Sequence, residues 1–103
     1  FQLDRFLVRL PDIALLASPN ARAPVLVTEV LHPDNTPAEM AFKLAEYTRA
    51  GVKLVWYVDP ERKEVDVFPK GNPKRKKTLG VNDTLTGGDV LPEFSCKVAE
   101  FFE

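Results

Sequence analysis

The sequence predicts an α/β fold built on a strand, a helix and a second strand in succession. Apolar runs of strand length lie at residues 25–31 and 52–58, and a helix-start signal lies between them. The segment 64–68 alternates apolar and polar residues, as an outer strand with one wet face does. Because a helix that links two neighbouring strands of one sheet makes a crossover, residues 25–58 are expected to form one crossover unit.

Composition predicts one domain over residues 1–103. The chain has 103 residues, of which 45% are hydrophobic, so it can form one compact core and is too short for two ordinary domains. The 14 Lys and Arg against 15 Asp and Glu give a net charge of -1, so any nucleic-acid contact must use a local basic patch.

The counts of cysteine and histidine exclude two kinds of stabilising cross-link, a disulfide and a structural zinc site. Cys96 is the only cysteine and His32 the only histidine. An internal disulfide is therefore excluded, and too few ligands remain for a structural zinc site. We expect neither a membrane span nor a signal peptide, and we expect a protein of the reducing cytoplasm.

Two strands are expected before the crossover unit. Residues 1–10 alternate as a strand that Pro11 interrupts or bulges, and Asp12 lies at that irregularity. A turn-forming segment at 18–24 then leads into the run that contains Glu29, most simply as an antiparallel neighbour. This arrangement would place Asp12 and Glu29 on adjacent strands.

The helix has clear signals at both ends. Thr36 and Glu39 form a capping box with Pro37 at the first helical position, and Gly51 is a natural C-terminal cap. The helix is therefore about four turns long. We expect its core stripe to consist of Ala41, Leu44, Ala45 and Thr48, with Lys43 beside it.

The sequence of the C-terminal third predicts a meander at the sheet edge, followed by a closing helix. The turn 69–73 reverses strand 64–68 into a basic segment at 74–79. A second turn follows at Gly87-Gly88, and the apolar residues of 96–102 suit a short helix docked on the core.

Glu29 points to a site because it is an acid inside an otherwise apolar strand. Burying an ionised carboxylate costs several kcal/mol or so unless a cation or donors compensate it. Asp12 and Glu29 on adjacent strands can hold a hard cation such as Mg2+ or Mn2+, with the backbone carbonyl of Val30 and waters completing an oxygen shell. An ammonium group beside such an ion, that of Lys43, can orient water or stabilise developing charge. Phosphodiester hydrolysis needs these parts.

Each of these residues also has an ordinary structural interpretation. Asp12 could accept backbone hydrogen bonds at a bulge, and Glu29 could form a buried salt bridge with Lys43 or Arg49. Lys43 could equally pair with Glu39 one helical turn away.

For four further features we favour a structural role over a functional one. Tyr47 and Trp56 are expected to pack with a polar handle. His32 could be a ligand or a general base, but we expect a cap or turn residue at the rim of the site. The fourth feature, called here the basic cluster, is either a phosphate-tracking hairpin or a solvated edge strand: Lys70, Lys74, Arg75, Lys76 and Lys77.

Several short blocks, in this order and spacing, resemble the bacterial Uma-type family of "putative restriction endonucleases" in the PD-(D/E)XK nuclease superfamily. The resemblance runs from about Arg9 to the end of the chain. The blocks are Pro11-Asp12, Glu29 to Pro33, Lys43 with Tyr47, Gly51-Val52 with Val55 to Pro60, Leu91 to Phe94, and Val98 to Phe102.

The resemblance implies a restriction-endonuclease-like mixed central sheet flanked by helices, with a C-terminal hairpin or meander extension. It also implies catalytic roles for Asp12, Glu29 and Lys43 and a bound Mg2+ or Mn2+ held by the two acids. The superfamily's usual lysine, two residues after the second acid, is replaced by Leu31, and the helical Lys43 matches the lysine that takes over in this family. His32 stands where the family usually has serine. The family's N-terminal region, with an additional acid, has no counterpart, so we expect a domain that lacks an N-terminal portion.

The resulting hypothesis is a metal-dependent endonuclease that acts on nucleic acid, with DNA as the expected partner and no membrane association. A homo-oligomer is an open alternative, because many nucleases of the superfamily dimerise. The competing hypothesis is a non-catalytic nucleic-acid or protein interaction module on the nuclease scaffold. A third is a hydrolase that acts on another phosphate ester.

Overall fold

The structure, a computed structural model, describes residues 25–102 in full and the backbone alone of residues 8–9 and 13–16. Pro11 and Asp12 lie outside the described residues, as do the predicted turn 18–24 and most of the strand predicted over 1–10.

Within the described residues, six strands form one mixed sheet in the order in which they occur along the chain. They are β1 (Val8–Arg9), β2 (Ile13–Leu16), β3 (Leu26–Val30), β4 (Leu54–Asp59), β5 (Glu64–Pro69) and β6 (Lys77–Leu79). Every neighbouring pair is antiparallel except β3 and β4, which are parallel and are linked by helix α1 (Pro37–Arg49). The predicted crossover unit and the antiparallel return of strand 25–31 are therefore confirmed.

Helix α1 begins and ends where the sequence predicts. The backbone N–H of Glu39 donates to the Thr36 hydroxyl at 3.1 Å, and the Thr36 N–H donates to the Glu39 carboxylate at 3.4 Å. Pro37 is the first helical residue, and the chain leaves the helix through Gly51 with a φ of +85°. The capping box closes the first turn as expected.

The core stripe predicted for α1 is wrong at three of its four positions. Leu44 is buried, but Ala41, Ala45 and Thr48 are exposed. The face toward the sheet is instead formed by residues three or four apart: Met40, Lys43, Leu44 and Tyr47. Large apolar side chains bury more surface against a sheet than alanines do, so the helix is rotated toward them.

The sheet is apolar on both faces, which explains the near-continuous apolar runs of β3 and β4. Between the sheet and α1 lies a cluster that we call the helix-side core: Val27, Met40, Leu44, Val52, Val55, Tyr57 and Phe68. The opposite face carries a second cluster: Leu26, Leu54, Trp56, Val58, Val65, Leu79, Leu85, Phe94 and Val98. Trp56 is fully buried there, and its ring centroid lies 5.3 Å from that of Phe94. Its predicted packing is therefore confirmed, but its indole N–H has no hydrogen-bond partner among the described residues.

A hairpin of β7 (Thr84–Gly87) and β8 (Leu91–Lys97), followed by a 3-10 helix at Val98–Phe102, contributes to the second face. The predicted closing helix is therefore shorter than 96–102, because Cys96 and Lys97 belong to β8. The basic segment also differs, since a 3-10 turn at Pro73–Arg75 precedes β6. The predicted mixed sheet and C-terminal hairpin extension are confirmed. Within the described part of the chain, no helix is long and apolar enough to cross a membrane.

Gly71 provides a test of how α1 is fixed to the sheet. Its φ is +69°, and the Thr48 hydroxyl lies 3.1 Å from its carbonyl oxygen. A Cβ at Gly71 would lie 2.3 Å from that hydroxyl oxygen, whereas a Cβ at Gly51, also at positive φ, would meet no atom within 4 Å.

We predict that Gly51→Ala lowers the free energy of unfolding by about 1–2 kcal/mol, the cost of a left-handed backbone for a residue with a Cβ. Gly71→Ala should lower it by about 1–3 kcal/mol more, because it adds an overpacking contact. Urea denaturation of both variants measures the difference. Equal losses would contradict the close approach of α1 to the turn after β5.

Candidate active site

Glu29 is a buried acid on the face of the sheet that α1 covers. It lies in β3 with only 2% of its surface exposed. Val27, two residues earlier, is part of the helix-side core, and residues two apart in a strand share a face. Its neighbours in register are Tyr57 in β4 and Ile13 in β2. The carboxylate therefore lies beneath the crossover helix, as the sequence predicts.

Two side chains of α1 each bind one oxygen of this carboxylate. The Lys43 ammonium donates to Glu29 Oε1 at 3.3 Å, and the Tyr47 hydroxyl donates to Oε2 at 2.5 Å. Lys43 and Tyr47 are four residues apart, so they lie on the same helix face one turn from each other. The expected closeness of Glu29 and Lys43 is thus present in the structure.

The other two ion pairs considered from the sequence, Glu29 with Arg49 and Glu39 with Lys43, are not formed. Arg49 pairs with Glu46 on the helix surface, and Glu39 is engaged in the capping box. Glu29 and Lys43 therefore form an ion pair between a buried acid and a cation whose side chain is 38% exposed. A half-exposed lysine can reach both the buried carboxylate and a ligand in solvent.

The two tyrosines near Glu29 have different partners. Burial, and then the hydrogen bond to Glu29, raise the pKa of Tyr47 above its ordinary value of 10.0, so the phenol remains a donor. Burial and the charge of Glu29 also raise the pKa of Tyr57, but its hydroxyl donates to the Met40 carbonyl at 2.7 Å. Tyr47 alone of the two supports the carboxylate directly.

The backbone around Glu29 turns a carbonyl toward β2. The Leu31 N–H donates to the Val58 carbonyl in β4 at 2.8 Å, so the backbone groups of Leu31 point toward β4. Backbone groups of successive strand residues point to opposite sides, so the Val30 carbonyl points toward β2. This is the oxygen that the sequence suggests as a metal ligand.

Asp12, the first predicted acid, lies outside the described residues. Ile13, the next residue, pairs with Glu29. In a regular strand the residue before Ile13 would turn its side chain to the opposite face of the sheet. Convergence of Asp12 with Glu29 therefore requires the irregular backbone that Pro11 predicts at that point.

The donor chemistry near Glu29 suits a hard cation. Among the described residues, no group of three or more His, Cys, Asp or Glu side chains could hold a metal ion. Those residues contribute one buried carboxylate and, toward β2, the carbonyl of Val30. Both are oxygen donors of the kind that Mg2+ and Mn2+ take, and a complete shell requires a further acid such as Asp12 together with waters.

Two features of the surface lie apart from these contacts. His32 lines a cavity of about 620 Å³ beside the start of α1, together with Met40 and Leu44, which suits its expected place at a rim. All five residues of the basic cluster are exposed, and Lys77 is on the edge strand β6. The cluster thus includes a solvated edge, as the structural interpretation predicts.

Tyr47 is the contact that sequence reasoning missed. The sequence predicts a packing residue with a polar handle, and the ring does pack against the helix-side core, but Glu29 is not predicted as the partner of the hydroxyl. The missed signal was its spacing, because a tyrosine four residues after Lys43 shares the face that meets Glu29.

The ion pair can be tested against a surface pair on the same helix. We predict that Lys43→Met lowers the free energy of unfolding by about 1–3 kcal/mol, because it leaves the buried carboxylate with one partner. Arg49→Met, which breaks the exposed pair with Glu46, should cost less than about 1 kcal/mol. Urea denaturation at pH 7 measures both. Similar losses in the two variants would show that the Glu29 pair behaves as a surface pair.

The tyrosines predict how stability changes at high pH. Below pH 10 the folded and unfolded chains both keep the phenol protons, so the contribution to stability is constant. Above pH 10 the unfolded chain releases protons that the folded chain retains, so the free energy of unfolding falls as pH rises. Since the chain has two tyrosines, absorbance at 295 nm reports both. We expect no tyrosinate signal in the folded protein near pH 10; a half-complete signal there would contradict the burial of these hydroxyls.

Comparisons with known proteins agree with this architecture. The model of the Uma2 family, described as "Putative restriction endonuclease", matches residues 3–99. A structure described as a putative nuclease belonging to DUF820 from Anabaena variabilis ATCC 29413 superposes with a TM-score of 0.66 at 17% identity. At that identity the likeness shows the fold alone.

The superposition covers 80% of this chain and 45% of the Anabaena chain, so the matched part spans less than half the length of that protein. A search of curated proteins found no significant match. Because the family model covers nearly all of the sequence, the chain belongs to the Uma2 family.

Proposed function

We propose that this chain carries the active site of a metal-dependent endonuclease that hydrolyses phosphodiester bonds in nucleic acid, with DNA as the expected substrate. The observation that carries the proposal is the buried Glu29 carboxylate, which is held by Lys43 from the crossover helix. Membership of the Uma2 family supports the same reaction class. Because Cys96 is the only cysteine, we further propose a cytoplasmic location.

In this proposal Glu29, the Val30 carbonyl and Asp12 hold Mg2+ or Mn2+. When bound, the ion would supply Lewis acidity at a phosphoryl oxygen and favour ionisation of water. The oxygen donors of the described part fit such an ion, and Glu29 brings the negative charge that attracts it. The Lys43 ammonium, 3.3 Å from Glu29 Oε1, compensates the burial of that carboxylate.

Lys43 is proposed to act on the substrate as well. In hydrolysis, one P–O bond forms from water and the bond from phosphorus to the leaving oxygen breaks. The products are a phosphomonoester and a hydroxyl group. Negative charge grows on the phosphoryl and leaving oxygens during this step, and an ammonium within reach stabilises it. The partial exposure of the Lys43 side chain makes that contact possible without removing Glu29's partner from the site.

A second candidate is a non-catalytic nucleic-acid-binding module on the same scaffold. One observation favours it: both oxygens of Glu29 already have partners within this chain, so its burial is compensated without a metal ion. The exposed basic cluster would then contact phosphate groups through charge alone. Such a module would bind DNA with a strong salt dependence and would need no divalent ion.

Divalent-ion binding separates the two candidates. We predict that the unmodified chain binds Mn2+ in a calorimetric titration and nicks supercoiled plasmid only when a divalent ion is present. Asp12→Ala and Glu29→Ala should each abolish binding and nicking, with the fold retained by circular dichroism. Glu46→Gln, an acid exposed on α1, is the matched control and should change neither.

Three results would contradict the nuclease proposal. The first is an unmodified chain that binds DNA but no Mn2+. The second is Mn2+ binding that survives Glu29→Ala. The third is cleavage of a small phosphate ester with plasmid left intact, which would point to another phosphate substrate.

A further inference from the structure

We propose that Tyr47 is a positioning residue, whose hydroxyl fixes the plane of the Glu29 carboxylate so that the acid presents its free lone pairs to a divalent cation. This inference rests on the proposed function, and it assigns a role in cation binding to a residue outside the proposed metal shell. Tyr47 touches neither substrate nor metal in this scheme and acts through Glu29.

The geometry gives Glu29 two independent anchors. Lys43 holds Oε1 and Tyr47 holds Oε2, each from a successive turn of α1. The last torsion of a glutamate side chain is broad, so a carboxylate held at one oxygen can rotate about its terminal bond. Contacts at both oxygens remove that rotation. A carboxylate has about four acceptor sites, and two remain after these contacts.

The chemistry of the second anchor matters as much as its position. Glu29 and Lys43 together carry no net charge, so a second ammonium in place of Tyr47 would make the three side chains net positive and repulsive toward a divalent cation. A phenol supplies a donor with no charge. Tyr47 therefore orients the acid without adding positive charge beside it.

Helix α1 holds the Tyr47 hydroxyl in a fixed place. The Tyr47 ring packs against the helix-side core, and its carbonyl accepts a hydrogen bond from the Val52 N–H at 3.1 Å. One residue further on, the Thr48 hydroxyl approaches the Gly71 carbonyl. The last turn of the helix is thus tied both to the segment that precedes β4 and to the turn after β5. A donor on such a rigid element orients its acceptor better than one on a loop.

Tyr57 is the matched control that the chain itself supplies. Its ring lies in the same core, on the strand beside Glu29, but its hydroxyl donates to the Met40 carbonyl and not to the acid. Removing either hydroxyl removes one hydrogen bond that a phenol of this region donates. Only the Tyr47 hydroxyl has Glu29 as its acceptor.

The experiment is a calorimetric titration with Mn2+ of the unmodified chain and of Tyr47→Phe, Tyr57→Phe and Glu29→Ala. We expect Tyr47→Phe to weaken Mn2+ binding by about 10- to 100-fold, the usual effect of losing a hydrogen bond that orients a metal ligand. Tyr57→Phe should leave the affinity unchanged, although both variants lower the melting temperature. In plasmid nicking, Tyr47→Phe should raise the half-saturating Mn2+ concentration by the same factor, with most of the rate recovered at saturating Mn2+.

The outcomes separate this inference from the proposed function. Loss of Mn2+ binding in Glu29→Ala with unchanged affinity in Tyr47→Phe would overturn the role of Tyr47 and leave the metal site in place. Equal weakening in Tyr47→Phe and Tyr57→Phe would also overturn it, because both changes would then act through packing. Unchanged binding in Glu29→Ala, or no binding by the unmodified chain, would remove the metal site and the role of Tyr47 with it.

Discussion

The structure depends on how one buried carboxylate is compensated. Glu29 lies under α1 with 2% of its surface exposed, where an uncompensated charge would oppose folding. The Lys43 ammonium and the Tyr47 hydroxyl, one turn apart on the helix, supply the compensation. That requirement links the rotation of α1 to the position of the acid, because Lys43 and Tyr47 reach Glu29 only if their face of the helix lies against the sheet.

The crossover unit makes this arrangement possible. Strands β3 and β4 are parallel, so α1 must cross the sheet between them, and it lies over the face that carries Glu29 and Tyr57. The opposite face has its own apolar cluster, to which the C-terminal hairpin contributes. The fold therefore separates two tasks. One face of the sheet carries the polar contacts of the candidate site, and the other contributes apolar burial that stabilises the sheet.

Much of the fold and of the candidate site can be predicted from the sequence, because the patterns that indicate them lie within short stretches of the chain. The capping box, the apolar runs and the acid inside one of them predict the crossover unit and the closeness of Glu29 to Lys43. The prediction for the rotation of α1 about its axis is wrong, because the spacing of Ala41 and Ala45 suggests a core stripe and both residues are exposed. Tyr47 was missed for the same reason, because its contact depends on that rotation. The short 3-10 segments depend on turn geometry, which sequence periodicity does not report.

The most direct test of the central claim is the anomalous difference density of crystals of this chain grown with Mn2+. The predicted result is a peak about 2.0–2.6 Å from a Glu29 carboxylate oxygen and the Val30 carbonyl, the range for oxygen ligands of hard divalent cations. Lys43 and Tyr47 should still contact the acid. Mn2+ bound elsewhere, with Glu29 paired only to those two side chains, would contradict a metal site and leave a buried structural ion pair.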